Sequence, residues 1–189
     1  MAGAVFHAPF TRDLEIFYGP KLLAWLGALV REIKPDILLT HSPVDYMEDR
    51  QNTSRLTVTA AFSRTIPDYP TDPPRPVTTR DLAVCHTLPW GLTDQSRNEI
   101  LPDFYLDVSS VIDAKRAMLA CHESQRAWPD ASQGWENYLH TVVDAAQTIG
   151  AKSGRFQFAE GWRRHLLVGF GPKGYDPLSE ALCDYIHHT

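Results

Sequence analysis

A proline-started apolar stripe that runs straight into a short apolar strand constrains this chain more than any other feature. Pro20 follows Gly19, and proline suits a first helical position because the N–H it lacks would have no intrahelical partner. Leu22, Leu26, Leu29 and Ile33 then recur at spacings of four, three and four, one face of an amphipathic helix. Lys34-Pro35 stops the pattern. Ile37-Leu38-Leu39 follows as a continuous apolar run that reads as a strand buried on both faces. A helix followed at once by such a strand is half of a βαβ unit, so the expected class is α/β.

The rest of the chain continues the alternation. Asp49 to Arg64 reads as a second helix with Asp49 as its N-cap, where a short carboxylate takes up an orphaned N–H. Pro67, Pro70, Pro73, Pro74 and Pro76 make a rigid extended connection rather than a domain boundary. Leu82 to His86 and Phe104 to Val108 read as strands, and Ser109 or Ser110 caps a helix running to about Arg126. Trp135, Tyr138, Leu139, Val142, Val143, Ala146 and Ile149 form the most regular helical stripe, ended by Gly150 or Gly154. A last helix is expected through Leu178, Leu182 and Ile186, with His187-His188 a frayed tail. All 189 residues are expected to form a single domain with a helical C-terminal half.

Charge and composition exclude several classes. Eighteen basic against 23 acidic residues leave a formal charge of −5, which argues against a nucleic-acid-binding domain. There is no apolar run of ~18 residues to span a membrane, and the first residues lack the basic-then-apolar pattern of a secretory leader. Cys85, Cys121 and Cys183 are too few and scattered for a disulfide framework or a thiolate zinc site, so a reducing, cytoplasmic setting is expected.

Three polar clusters are candidate sites. His41 and the segment Asp45, Glu48, Asp49, Arg50 lie just beyond the carboxyl end of the first strand, where open α/β sheets bind ligands. Carboxylate and imidazole suit zinc, whose bound water attacks amides; the same acids equally suit helix capping. Lys115, Leu119 and His122 share a helix face at i, i+4 and i+7, so His122 is either an acid, base or donor at a pocket or a group satisfying terminal carbonyls. Arg155, Glu160, Arg163, Arg164 and His165 suit either an anionic or sugar substrate or a solvated face. No phosphate-binding glycine loop is present.

Four ordered segments together resemble the LmbE-like deacetylase family, which includes the N-acetylglucosaminyl-phosphatidylinositol de-N-acetylases. Lys34-Pro35-Asp36-Ile37-Leu38-Leu39-Thr40-His41 resembles the family strand leading to its second metal motif. Asp45-Tyr46-Met47-Glu48-Asp49-Arg50 falls where the family has a His-Pro-Asp-His segment. Asp107-Val108-Ser109 through Lys115 to His122-Glu123-Ser124-Gln125 is similar to the aspartate–lysine–His-x-Ser-Gln signature. Phe158-Ala159-Glu160-Gly161-Trp162-Arg163 resembles a late Ala-Glu-x-aromatic-Arg element.

The resemblance implies a Rossmann-like fold with a mostly parallel sheet and flanking helices. It also implies a zinc or similar divalent ion and hydrolysis of an N-acyl group from an amino sugar. The family holds its ion with an N-terminal Ala-His-Pro-Asp-Asp-Glu motif and the last histidine of His-Pro-Asp-His. Here the N-terminal motif is absent, and the chain reads as beginning after the family's first two strands. Arg50 stands at the third ligand position, where a guanidinium stays protonated and cannot bind a cation. Met47 stands where a histidine often assists the leaving group. The expected catalytic residues are therefore Asp49, His122 and His41, with Asp45, Arg50, Gln125, Arg155, Glu160 and Arg163 on the substrate and no metal ligands in this chain. A sheet lacking its first strands exposes an apolar edge, so self-association or a complementing chain is expected. Three readings follow: a deacetylase-type hydrolase completed by another chain, a non-catalytic sugar- or partner-binding relative, and a repurposed metal-free enzyme.

Overall fold

The stripe after Pro20 folds as helix α1 (Pro20–Ile33), but its buried face is rotated from the one expected. Leu23, Gly27, Ala28, Val30 and Arg31 are buried, whereas Ile33 is exposed. Gly27 explains part of this: a Cβ there would stand 3.3 Å from Thr71 Cγ2, so the missing side chain lets a neighbouring segment approach. The helix ends at Lys34, in the left-handed region, whose N–H closes onto the carbonyl of Val30.

The computed structural model describes residues 3–122 and 135–189. After α1 come β1 (Ile37–Thr40), α2 (Glu48–Ser63), β2 (Ala83–Thr87), β3 (Phe104–Asp107) and α3 (Ile112–Ala120). Then follow α4 (Trp135–Ser153), β4 (Ala159–Arg164), α5 (Pro177–Ala181) and β5 (Ile186–His188). This is an α/β fold on a five-stranded open sheet of order β1-β2-β4-β3-β5. The sheet is mixed where a mostly parallel one was expected: β1 and β2 are parallel, while β2–β4 and β3–β5 are antiparallel. No helix among the described residues is long and apolar enough to cross a membrane.

Contacts divide the chain into two compact units. One comprises His7–Pro102 and Trp162–Cys183. Its apolar centre is Ala61, Leu82, Val84 and Phe170, with Leu38 and Val58 packed against it. β1 is not buried on both faces as expected; it stands at the end of the strand order, and Leu39 is 51% exposed. α2 has little apolar periodicity, yet buries Ser54, Thr57, Ala60, Ala61 and Ser63, small residues that allow close packing beside Leu56. Two buried arginines tie this unit together. Arg31 donates to the carbonyls of Ser63, Ile66 and Arg75. Arg64 donates to those of Ala61, Arg80, Gly169 and Phe170. A guanidinium carries five donors in a planar fork, so one side chain can satisfy several loop carbonyls at once. The proline-rich connection is thus pinned at Ile66, Arg75 and Arg80.

The other unit comprises Met1–Phe6, Asp103–Gly161 and Asp184–Thr189. α3 stops at Ala120, short of the expected Arg126, and Cys121 and His122 turn back to bond Met118 and Leu119. Residues 123–134 lie outside the described residues. α4 runs through Gly150 to Ser153 and is ended by Gly154 at φ +63°, a conformation glycine adopts without Cβ strain. The chain end is not helical as expected. Ile186–His188 pairs with β3, opposing Leu106, Tyr105 and Phe104. His187 and His188 are therefore ladder residues rather than a frayed tail, because pairing gives their backbone groups partners that a free end lacks.

Candidate functional site

The connection from β1 to α2 is built by short-range polar bonds. Asp45 is buried; its Oδ1 accepts the Met47 N–H at 2.9 Å and faces Arg50 Nη1 at 3.5 Å. Its carbonyl accepts from the side-chain amides of Gln51 and Gln95. Arg50 also lies over the Tyr46 ring, 5.2 Å from its centroid. Asp49 is not the N-cap of α2: Met47 holds that position with no side-chain bond, and Asp49 is buried within the first turn, accepting the Leu14 N–H at 2.6 Å. The helix thus starts without its expected cap because that carboxylate is used to hold the segment before α1. Burial, aided by the Arg50 charge and opposed by Asp45, lowers the His41 pKa below the ordinary imidazole value. His41, Asp45 and Arg50 therefore form one local electrostatic cluster, with the Asp49 carboxylate engaged by Leu14.

Sequence reasoning missed the residue next to it. His86 ends the apolar run of β2 and is 4% exposed. Its Nδ1 lies 2.8 Å from the His41 carbonyl and 3.3 Å from Ser54 Oγ, and its Nε2 lies 3.0 Å from Nδ1 of His165. Burial is the main cause that lowers both imidazole pKa values; the bond to the His41 carbonyl opposes it at His86, while Arg163, opposite His86 on β4, adds to it there and the His86 ring adds to it at His165. Both are neutral near pH 7. The two rings form part of the wall of a cavity of about 440 Å³. Glu48, Asn52, Arg55 and Thr59 line it from α2, at i, i+4, i+7 and i+11, a single helix face. A histidine closing an otherwise apolar strand was the available signal. His165 was placed in a cluster read as substrate site or solvated face; instead its ring packs edge-on against Phe170 and bonds His86.

None of the other expected residues that are described is among those lining this cavity. Glu160 is joined to Lys115 on α3, so two elements of the sequence resemblance meet in one ion pair. Arg155 lies over Phe156. Arg163 stands in register with His86. His122 is exposed beyond α3. Gln125 lies outside the described residues.

The donors of the β1–α2 cluster do not fit a divalent cation. A guanidinium faces one carboxylate and a backbone N–H occupies the other, so the groups that would meet a metal meet donors instead. Among the described residues no three His, Cys, Asp or Glu side chains converge as cation ligands do.

No protein-family model and no curated protein matches the chain. Three solved structures are similar in fold. The conserved protein TT1542 from Thermus thermophilus is 19% identical over 87% of this chain and 67% of that one, with a TM-score of 0.61. GalB, the 4-carboxy-2-hydroxymuconate hydratase from Pseudomonas putida, is 23% identical over 82% and 62%, with a TM-score of 0.58. The N,N'-diacetylchitobiose deacetylase from Pyrococcus horikoshii is 19% identical over 89% and 60%, with a TM-score of 0.62. The chain therefore has the fold of these proteins and spans 60–67% of their length. That fold serves a deacetylase and a hydratase, so it does not by itself select a reaction.

Proposed function

We propose that this chain carries a small-molecule site of the LmbE-like amide-hydrolase type, directed to N-acetylated amino-sugar-like molecules, whose cation ligands have been replaced. Amide cleavage then requires groups supplied by a second chain. The observation that carries this reading is Arg50 facing buried Asp45: a permanent cation holds the carboxylate that a divalent ion would otherwise compete for. Asp49 is engaged by Leu14, which removes the second carboxylate from the same role. Zinc binding by this chain alone is not part of the proposal. The cavity beside the cluster offers the amides of Gln51 and Asn52 and the hydroxyls of Ser54 and Thr59, which suit a polyol. The exposed Leu39 on the end strand supports association with another chain.

The test combines elemental analysis with two assays on N-acetylglucosamine. The expected result is binding seen by ligand-observed NMR, no stoichiometric zinc and no acetate released by the chain alone. Bound zinc together with acetate release would show a complete hydrolase instead. Absence of any binding would remove the small-molecule reading.

A further inference from the structure

The hydrogen bonds around His86 fix where every proton of the histidine pair sits. A carbonyl oxygen cannot donate, so the His41 carbonyl at 2.8 Å requires a proton on His86 Nδ1. In the neutral ring Nε2 is then an acceptor. The bond at 3.0 Å must therefore be donated by His165 Nδ1. This leaves His165 Nε2 with a lone pair, and among the described residues nothing donates to it. His165 is held in this tautomer by His86, which is held by the backbone.

The same cavity holds a charge with no carboxylate partner. Arg55 is on the lining face of α2, and its guanidinium carbon lies 4.2 Å from the centroid of the Tyr18 ring. Among the described residues it makes no ion pair. Glu48 lines the same face seven residues earlier, roughly 10 Å along the helix axis, which leaves Arg55 to set the local sign at its own end. Gln51, Asn52 and Thr59 add neutral donors and acceptors to the lining. A volume of about 440 Å³ accommodates a small metabolite rather than a polymer.

We propose that this cavity binds a polyhydroxy carboxylate of sugar-acid type, with its carboxylate on Arg55 and one hydroxyl donating to Nε2 of His165. Arg offers a carboxylate two parallel donors, and a fixed imidazole lone pair accepts only from an O–H or N–H, so the site demands both groups in one molecule. This proposal rests on the small-molecule reading of the same cavity but needs no amide hydrolysis, since neither Arg55 nor His165 belongs to the Asp45–Arg50 cluster. His86 acts as a positioning residue, setting the tautomer of His165.

The experiment uses the full chain, D-gluconate as probe and D-sorbitol as the uncharged control. Long-range ¹⁵N–¹H NMR at pH 7.5 is expected to show both imidazoles neutral and protonated on Nδ1. A His165 protonated on Nε2 overturns the proposal. Titration with gluconate is expected to move the His165 Nε2 resonance, with sorbitol binding about ten-fold more weakly. Arg55→Gln is expected to abolish that difference, and His165→Phe, which keeps the edge-on contact with Phe170, to weaken gluconate about ten-fold. His86→Gln is expected to leave His165 in mixed tautomers, a spectroscopic change that loss of packing alone would not give. Equal binding of the two probes, or gluconate binding untouched by Arg55→Gln and His165→Phe, overturns the proposal. Gluconate binding with no binding of N-acetylglucosamine separates this site's success from failure of the amino-sugar reading.

Discussion

Gly150 sits so close to the carbonyl of Gln157 that a Cβ added to it would stand 2.5 Å from that oxygen. The glycine lies inside α4, where alanine would ordinarily gain about 1 kcal/mol of helix propensity. Here the neighbour is backbone and cannot rotate away. Gly150→Ala is expected to lose about 2 kcal/mol net, read as a lower urea midpoint at unchanged slope. A neutral or stabilised variant would show that the return after α4 is looser than described.

Arg64 predicts a larger loss. Replacing it by methionine keeps much of the apolar stem but removes the guanidinium donors from the carbonyls of Ala61, Arg80, Gly169 and Phe170, of which that of Phe170 keeps the Leu82 N–H. The expected cost is about 3 kcal/mol in chemical denaturation. Arg64→Lys is expected to recover only part of it, because an ammonium is a point donor and cannot span the same fork.

The histidine pair makes stability depend on pH. Both His86 and His165 have pKa values lowered from the ordinary 6.5, so the unfolded chain binds more protons than the folded one just below that value. Their contribution is fully present above about pH 7 and is lost as the pH falls through 6.5 towards the folded pKa values. Arg163 across the sheet deepens the effect on His86; Arg50 and Asp45 act in opposite senses on His41. Denaturation midpoints at pH 7.5, 6.5 and 5.5 are expected to fall in that order, and to fall less in His165→Phe.

Arg50→His restores an imidazole where the family resemblance puts a ligand. It is nevertheless expected to bind no stoichiometric zinc in calorimetry, because Asp49 remains bonded to the Leu14 N–H and Asp45 to that of Met47. Tight binding by this variant would mean that a single substitution separates the chain from a working cation site.

Leu39 offers the simplest check on association. Leu39→Lys places a charge on the end strand, a substitution that discourages strand-to-strand pairing. Sedimentation velocity is expected to show concentration-dependent self-association of the parent chain and less of it in the variant. A parent chain that stays monomeric throughout the micromolar range would contradict this.

The elements most legible in the sequence were those whose period or punctuation left one reading. Pro20 and Lys34-Pro35 bracket α1, and Gly154 ends α4, because proline and glycine act on the local backbone whatever surrounds them. Which face of α1 is buried was not legible, since Gly27 answers to Thr71, forty-four residues away. The chain end misled for the same reason: Leu178, Leu182 and Ile186 keep a helical spacing, but pairing with β3 decides their fate after Ala181. Around the site, the residues of one short segment, Asp45 to Arg50, were found because they are neighbours in sequence. His86 and His165 lie 79 residues apart, and only the antiparallel β2–β4 ladder brings them within hydrogen-bonding distance.

The Arg64 fork has one more implication, for synthesis of the chain. Two of its acceptors, Gly169 and Phe170, are made more than a hundred residues after it. While the ribosome is still translating the intervening stretch, the newly made α2 ends in a cation whose final partners do not yet exist. The unit that holds it can therefore close only after Phe170 has emerged, and a nascent chain released before then would keep that charge in water and its apolar centre open.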